Sequence, residues 1–287
     1  MGQILGVRWL GLFAWCLVST ASTAWAAPRW SNPAFLGIQM RDAGSRGPCQ
    51  IDFATHEGPA EAAGLRRDDI VRFIDGKEIT TCDVLLAEIT AHAPGDSVEI
   101  RVQRGLTTMI SARVQLTTRD ALLHKVIGKP MVETNFVGVE DGTVYDLSAP
   151  HGRMAIVGLY DPTCADCATL FTKFLDWSRE KARKGGPQAL VLAVITGGEP
   201  TRDEKALQSS LDVPLAIGEF VASDQDQASS PFSRERVLFD RNRLGVIVID
   251  GRGIVQYIGP IAPNSDDTEA VLDELFAAAD QASHRSK

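Results

Sequence analysis

Long apolar runs are scarce in this sequence. Past residue 26 no segment offers about 18 uninterrupted apolar residues, the length a membrane-spanning helix needs. Blocks of lysine and arginine are missing as well, and 29 basic residues face 37 acidic ones for a formal charge of -8. Such a surface repels nucleic acid and anionic lipid, so neither is expected as a partner. There is no internal repeat, no Ser/His/Asp grouping and no paired-carboxylate signature. Gly197-Gly198 lacks the further glycines and the lysine of a phosphate-binding loop. The histidines His56, His92, His124, His151 and His284 are scattered, and Met109, Met131 and Met154 form no cluster, so no resident metal site and no cofactor is expected. Cysteine is sparse, with five in 287 residues.

What is present begins with residues 1–26. Arg8 is their only charge, an apolar run follows from Trp9, and Ala24-Trp25-Ala26 precedes Ala27-Pro28. That is the pattern of a secretory signal peptide with a small-x-small cleavage site. The expectation is an exported protein, periplasmic in location, with no membrane span once the signal is removed. Cys16 goes with the signal. Export changes how the other four cysteines are read, because oxidising compartments let disulfides persist. Cys164 and Cys167 form a Cys-x-x-Cys pair, which leaves Cys49 and Cys82 either bridged to each other or as two inert buried thiols.

From residue 35 to about 116 the pattern is short strands, tight turns and short helices. Phe35-Leu36-Gly37-Ile38-Gln39-Met40 and Gln50-Ile51-Asp52-Phe53 alternate as half-buried strands do. Gly58-Pro59 breaks the chain, Ala60 to Leu65 makes a helical turn, and Ile70 to Ile74 is a strand closed by Asp75-Gly76. A helix is expected from Val84 to Ile89, with Cys82 at its cap. The run Gly58-Pro59-Ala60-Glu61-Ala62-Ala63-Gly64-Leu65-Arg66-Arg67-Asp68-Asp69-Ile70-Val71, followed by Ile74-Asp75-Gly76-Lys77, resembles the signature of a bacterial PDZ domain over residues 33–118. The resemblance implies that Leu36, Gly37 and Ile38 present backbone N–H groups to the C-terminal carboxylate of a peptide, which adds a strand along the following edge. The alternative is a fold that only spaces or docks, with Leu36 and Ile38 as plain core residues.

Residues 119–130 read as a linker with a short helical stretch around Leu122 to Val126. Over residues 131–281 the pattern changes to strands alternating with long helices. Ala155-Ile156-Val157-Gly158-Leu159-Tyr160 has the near-continuous apolar character of a central buried strand. Cys167, Leu170, Phe171, Phe174 and Leu175 then recur at helical spacing until Lys184-Gly185-Gly186 stops the helix. Asp250-Gly251-Arg252-Gly253 turns a hairpin, and a last helix is expected near Asp266 with Glu269 completing a capping box. The stretch from Ser223 to Ser233 reads as a polar surface loop.

The chemistry sits in Asp161-Pro162-Thr163-Cys164-Ala165-Asp166-Cys167, at a strand-to-helix junction. A thiol at a helix N-terminus faces unpaired N–H groups and the positive end of the dipole, so Cys164 is the expected nucleophile. Cys167, one turn deeper, is the expected resolving thiol. Asp166 between them disfavours the Cys164 thiolate, which leans the pair towards reductant or isomerase, and it is the nearest proton acceptor by sequence. The surrounding sequence resembles the exported thioredoxin-like proteins related to TlpA and ResA, through Gly128-Lys129-Pro130, Gly142-Thr143-Val144-Tyr145-Asp146-Leu147, His151-Gly152-Arg153, the Cys pair and Ile249-Asp250-Gly251-Arg252-Gly253-Ile254-Val255.

The resemblance implies an α/β thioredoxin-like domain preceded by a mainly-β PDZ-like domain, acting on protein or peptide thiols and disulfides. The chain departs from the pattern at three places. Thr163 precedes the first Cys, Leu244 or Gly245 stands where a cis-proline is usual, and Leu170 replaces a carboxylate. Two further readings therefore stay open: a redox-dead PDZ and thioredoxin-fold adaptor, and a Cu(I)-handling chaperone using the two thiolates.

Overall fold

The computed structural model describes residues 33–42, 47–55, 57–131, 135–148, 150, 152–161, 163–164, 166–186, 188–196, 205, 207–218 and 243–285. The expected signal at 1–26, His56, His151, Gly197-Gly198 and the polar loop from Ser223 lie outside the described residues.

Two sheets organise the chain. The first is antiparallel: β1 (Ile38–Asp42), β2 (Cys49–Ala54), β3 (Ile70–Ile74), β5 (Ser97–Arg104) and β6 (Thr108–Gln115) lie side by side in that order, with β4 (Lys77–Glu78) on β3. Its strands bury one face. In β5, Val98, Ile100 and Val102 are buried while Ser97 and Glu99 are exposed, the period-two signature of a half-solvated sheet. Two helices cover that core. α1 (Pro59–Ala62) opens with proline at its first position, where the missing N–H costs nothing. α2 (Cys82–Ala91) buries Leu85 and Ile89 and is capped by Thr81, whose hydroxyl accepts from Val84 N. The cap is thus one residue earlier than the Cys82 expected from sequence, because a hydroxyl accepts an amide proton far better than a thiol does.

The second sheet has seven strands in the order β13-β12-β9-β10-β11-β7-β8. Here β7 is Asn135–Gly138, β8 Val144–Asp146, β9 Ala155–Leu159, β10 Leu190–Thr196, β11 Leu215–Gly218, β12 Leu244–Ile249 and β13 Val255–Ile261. β9, β10 and β11 are parallel, and β12 runs antiparallel to both β9 and β13. β9 and β12 are apolar throughout because both faces of the sheet are covered. On one face, Ile156, Val191, Ala193, Val246 and Val248 meet α4 (Cys167–Arg183) and α5 (Thr268–Arg285). The inward seam of α4 is Cys167, Leu170, Phe171, Phe174 and Ser178. Lys181 bridges to Asp280 at 2.6 Å and Trp177 stacks on Phe276 at 5.3 Å, which ties α4 to α5.

The other face carries Ala155, Val157, Leu192, Val194, Ile247 and Ile249. It packs against Leu122, Leu123 and Val126, which belong to α3 (Arg119–His124) and the turn after it. The segment expected as a linker thus buries three apolar side chains in this core. Phe35 and Phe53, from the first sheet's portion of the chain, join the same cluster. Fully burying side chains of this size is worth about 1.5–3 kcal/mol each.

Two turns differ from expectation or explain it. The last helix begins at Thr268, and the reciprocal hydrogen bonds at its start join Ser265 and Thr268. Glu269 instead pairs with Lys173 on α4, which overturns the Asp266 and Glu269 capping box: a cation across the groove wins over a backbone amide. The hairpin at 250–253 is built round a fully buried Asp250, whose carboxylate accepts from Arg252 N, Ile254 N and Gln256 Nε2. Gly253 sits at φ +82°, and a Cβ there would lie 2.0 Å from the Ser148 carbonyl oxygen, so no other residue fits.

Candidate functional site

The Cys pair stands where β9 delivers the chain into α4. Beyond Leu159, Tyr160 N donates to Val194 O, which carries the central-strand register one residue further. Asp161 then organises the bend. Its carboxylate accepts from Thr163 N at 2.9 Å and Thr163 Oγ1 at 2.7 Å, and its carbonyl accepts from Cys164 N. This pairing of Asp161 with Thr163 is a role that the sequence alone left unassigned, although the Asp-x-Thr spacing is that of an Asx-type bond. Cys164 and Cys167 are joined in a disulfide with Cα atoms 5.4 Å apart, and Cys167 N donates to Cys164 O. Asp166 is the N-cap residue of α4, exposed, and its side chain makes no capping bond. Two amides of the first turn are taken by backbone carbonyls instead, Cys167 N by Cys164 O and Thr169 N by Asp166 O.

The pair is well covered. Cys164 is 5% exposed and Cys167 wholly buried, in one apolar cluster with Tyr160, Leu170, Phe171 and Leu244. Gly158 is forced by this packing, since a Cβ there would meet the Phe171 ring at 2.5 Å. Burial, and secondarily the Asp161 charge, raise the Tyr160 hydroxyl above its ordinary pKa, so it stays a neutral donor. Leu170 is buried one turn into the helix, so no carboxylate arises from that position. Leu244 opens β12, directly before Gly245, whose register partner on β9 is Leu159. Among the described residues there is no cis peptide bond. Nor do they include a group of three or more His, Cys, Asp or Glu able to hold a metal ion. No described helix is long and apolar enough to cross a membrane.

The second candidate site is the loop before β1. Gly37 has φ +77°, and Leu36 and Ile38 are buried in the first core, so this stretch offers its backbone and not its side chains. The carbonyls of Leu36 and Gly37 accept from Ala60 N and Thr55 N, which fixes the loop against the start of α1 and the end of β2. β1 lies at the edge of its sheet. Across from it, the N-terminus of α2 is fastened twice: Cys82 is disulfide-bonded to Cys49 of β2, and Cys82 N donates to Asp42 Oδ1 at the end of β1. The structure thus places Leu36, Gly37, Ile38, Cys49 and Cys82 around one strand edge and one helix, and Cys164, Asp166 and Cys167 at the β9-to-α4 junction of the other unit.

One family model matches within the first unit. The model of the PDZ domain family matches residues 34–116, so the first unit is a PDZ domain. Among curated proteins none matches. Of solved structures, the HtrA-type protease AlgW with decapeptide is 18% identical over 30% of this chain, with a TM-score of 0.28. This chain spans only 30% of that protease's length. The HtrA3 PDZ domain bound to a phage-derived ligand is 16% identical, over 31% of this chain and 88% of its own, with a TM-score of 0.28. The pneumococcal exposed lipoprotein thioredoxin Etrx1 of Streptococcus pneumoniae strain TIGR4 is 20% identical over 51% of this chain and 99% of its own, at a TM-score of 0.32. The second unit is α/β, the class that the thioredoxin resemblance of its sequence implies.

Proposed function

We propose that this is an exported thiol-disulfide exchange protein of the TlpA and ResA kind, in which the PDZ domain holds a partner by its C-terminal peptide. The observation that carries the reading is the disulfide at the N-terminus of α4, fed by the buried central strand β9. In the reducing direction the Cys164 thiolate attacks a sulfur of the partner's disulfide, forms a mixed disulfide and expels one partner thiolate. Cys167 then attacks the Cys164 sulfur, releasing the second thiolate and leaving Cys164 and Cys167 oxidised. Two electrons pass to the partner. Exposed Asp166 beside the pair leans it towards reductant or isomerase by opposing the Cys164 thiolate, an effect weakened by solvent screening. On the PDZ side, β1 at a sheet edge supports an added peptide strand, and the backbone of residues 36–38 supports a terminal carboxylate.

Insulin reduction by the full chain, set against Cys164→Ser, tests the exchange. A rate no faster than that of Cys164→Ser overturns it. Cys167→Ala, expressed in the exporting compartment, should hold its partner covalently on Cys164, and phage-displayed peptides with free C-termini should be retained by the PDZ domain. A redox-dead adaptor is the second reading, favoured by the 5% exposure of Cys164 and by Leu244 or Gly245 at the usual cis-proline position. It predicts that dithiothreitol leaves the Cys164 to Cys167 bond intact in the folded protein.

A further inference from the structure

Glu57 occupies the turn between β2 and α1 and has φ +54°, a left-handed conformation that is costly for any residue but glycine. Its surroundings hold it there from three sides. Its own N–H donates to Glu61 Oε2 at 2.7 Å. Lys125 Nζ donates to its carbonyl at 2.8 Å, and Lys129 Nζ reaches both carboxylate oxygens at 3.2 and 3.0 Å. Strain of this sort persists only where neighbours over-determine it, and it collects at functional loops.

The two lysines do not belong to the PDZ domain. They flank Val126, which is buried in the second core, and Lys129 O accepts from Val255 N while Gly128 N donates to Val255 O. Lys125 and Lys129 are thus anchored to β13 of the thioredoxin-like sheet. On its other side the Glu57 turn leads at once into the residues that brace the peptide loop. Pro59 lies so close to Gly37 that a Cβ there would sit 3.0 Å from Pro59 Cδ, and Ala60 N donates to Leu36 O. Thr55, whose N–H donates to Gly37 O, carries a buried hydroxyl with no hydrogen-bond partner among the described residues, a second sign that the turn is held in a costly arrangement.

We infer that Glu57 is a positioning residue for the peptide site, through which the thioredoxin-like half, by way of Lys125 and Lys129, sets the geometry of residues 36–38. This rests on the peptide-binding reading above and adds the route by which the second half controls that site. The ligand class is a peptide with a free C-terminal carboxylate, whose docking needs the 36–38 amides fixed in place. Because coupling is reciprocal, a bound peptide also stabilises the seat of Lys125 and Lys129 on β13.

The test uses the full chain and the tightest-binding pentapeptide from the phage display, labelled at its N-terminus. Glu57→Gln and Lys129→Gln should each weaken binding roughly twofold to fivefold, as expected for an exposed ion pair. The double variant should be no weaker than the worse single one, and Lys129→Arg should bind as the parent does. Lys125→Gln combined with Lys129→Gln should cost about tenfold, because a charge-assisted bond to the strained carbonyl is lost as well. A purely structural role would not follow the charge at position 129 in this way. A second readout needs no ligand: amide hydrogen exchange at Gly37, Ile38 and Thr55 should quicken in Lys129→Gln while the amides of β5 and β10 stay protected. Unchanged affinity together with unchanged exchange overturns the inference. If the parent protein retains no peptide, the peptide reading falls by itself, and the exchange measurement then decides whether Glu57 braces the loop.

Discussion

The two disulfides are built to opposite ends. Cys49 and Cys82 are 33 positions apart and join a strand to the start of a helix across the first core, whereas Cys164 and Cys167 are three apart within a strand-to-helix junction. A bond that closes a long loop removes much freedom from the unfolded chain, about 3–4 kcal/mol for a loop of that length. One that closes a single turn removes little, so it has little stability to lose on opening. The environment divides them again. Cys82 stands at the start of α2, its N–H donating to Asp42, while the function proposed above has the N-terminus of α4 favour a Cys164 thiolate and has Cys167 resolve the mixed disulfide. On the proposed function, the chain carries one bond for holding and another for exchange, set apart by sequence distance and helix position.

Four experiments would break or sharpen this contrast. The largest effect is on activity: Cys164→Ser should bring insulin reduction down to the rate of dithiothreitol alone, while Cys49→Ser with Cys82→Ser leaves it intact. Next, that same double variant should lose about 3–4 kcal/mol from the PDZ domain, read as a lower melting temperature of that unit only. Equal losses in both units would mean that the bond is not local in its effect. A smaller change concerns access. Leu244→Ala removes a buried side chain from the cluster that covers Cys164, at about 2–5 kcal/mol for the thioredoxin-like unit, and should speed alkylation of Cys164 in the reduced protein. Slow alkylation in both forms would make some other element the cover.

The smallest effect is one of pH. Burial alone would raise the Asp250 carboxyl, yet hydrogen bonds from Arg252 and Ile254 reverse this and hold it below its ordinary value. A depressed carboxyl contributes stability that is present above the unfolded pKa, near 3.9, and is lost as pH falls through the folded value. Below about pH 4 the thioredoxin-like unit should therefore weaken, and Asp250→Asn should make that slope shallower in a melting series.

Much of this was legible in the sequence, for reasons that differ by residue. The β9 run and the α4 seam from Cys167 to Phe174 follow from burial on a fixed period, which side-chain type alone encodes. Gly253 announced a turn, although the Ser148 carbonyl that makes glycine obligatory is over 100 positions away and invisible to local pattern. Glu269 misled because a capping box and an inter-helix ion pair use the same residue, and only the arrangement of α4 beside α5 chooses between them. At the site, the Cys pair and Asp166 were plain from spacing. The near-complete burial of Cys164 was not, since the cluster that encloses it draws on residues from other strands, Leu244 of β12 among them. Lys125 and Lys129 looked like ordinary charges in a connecting segment, because nothing local to them mentions Glu57.

Phe35 and Phe53 lie before the thioredoxin-like half in sequence, yet they finish one face of its sheet. A cut at residue 118 would therefore not release two clean halves. The C-terminal fragment would expose the seats of two aromatic rings, and the N-terminal fragment would carry those rings bare. Transplanting a different PDZ module onto this thioredoxin-like half would demand matching aromatics at both places, so the two halves can be recombined only as a fitted pair.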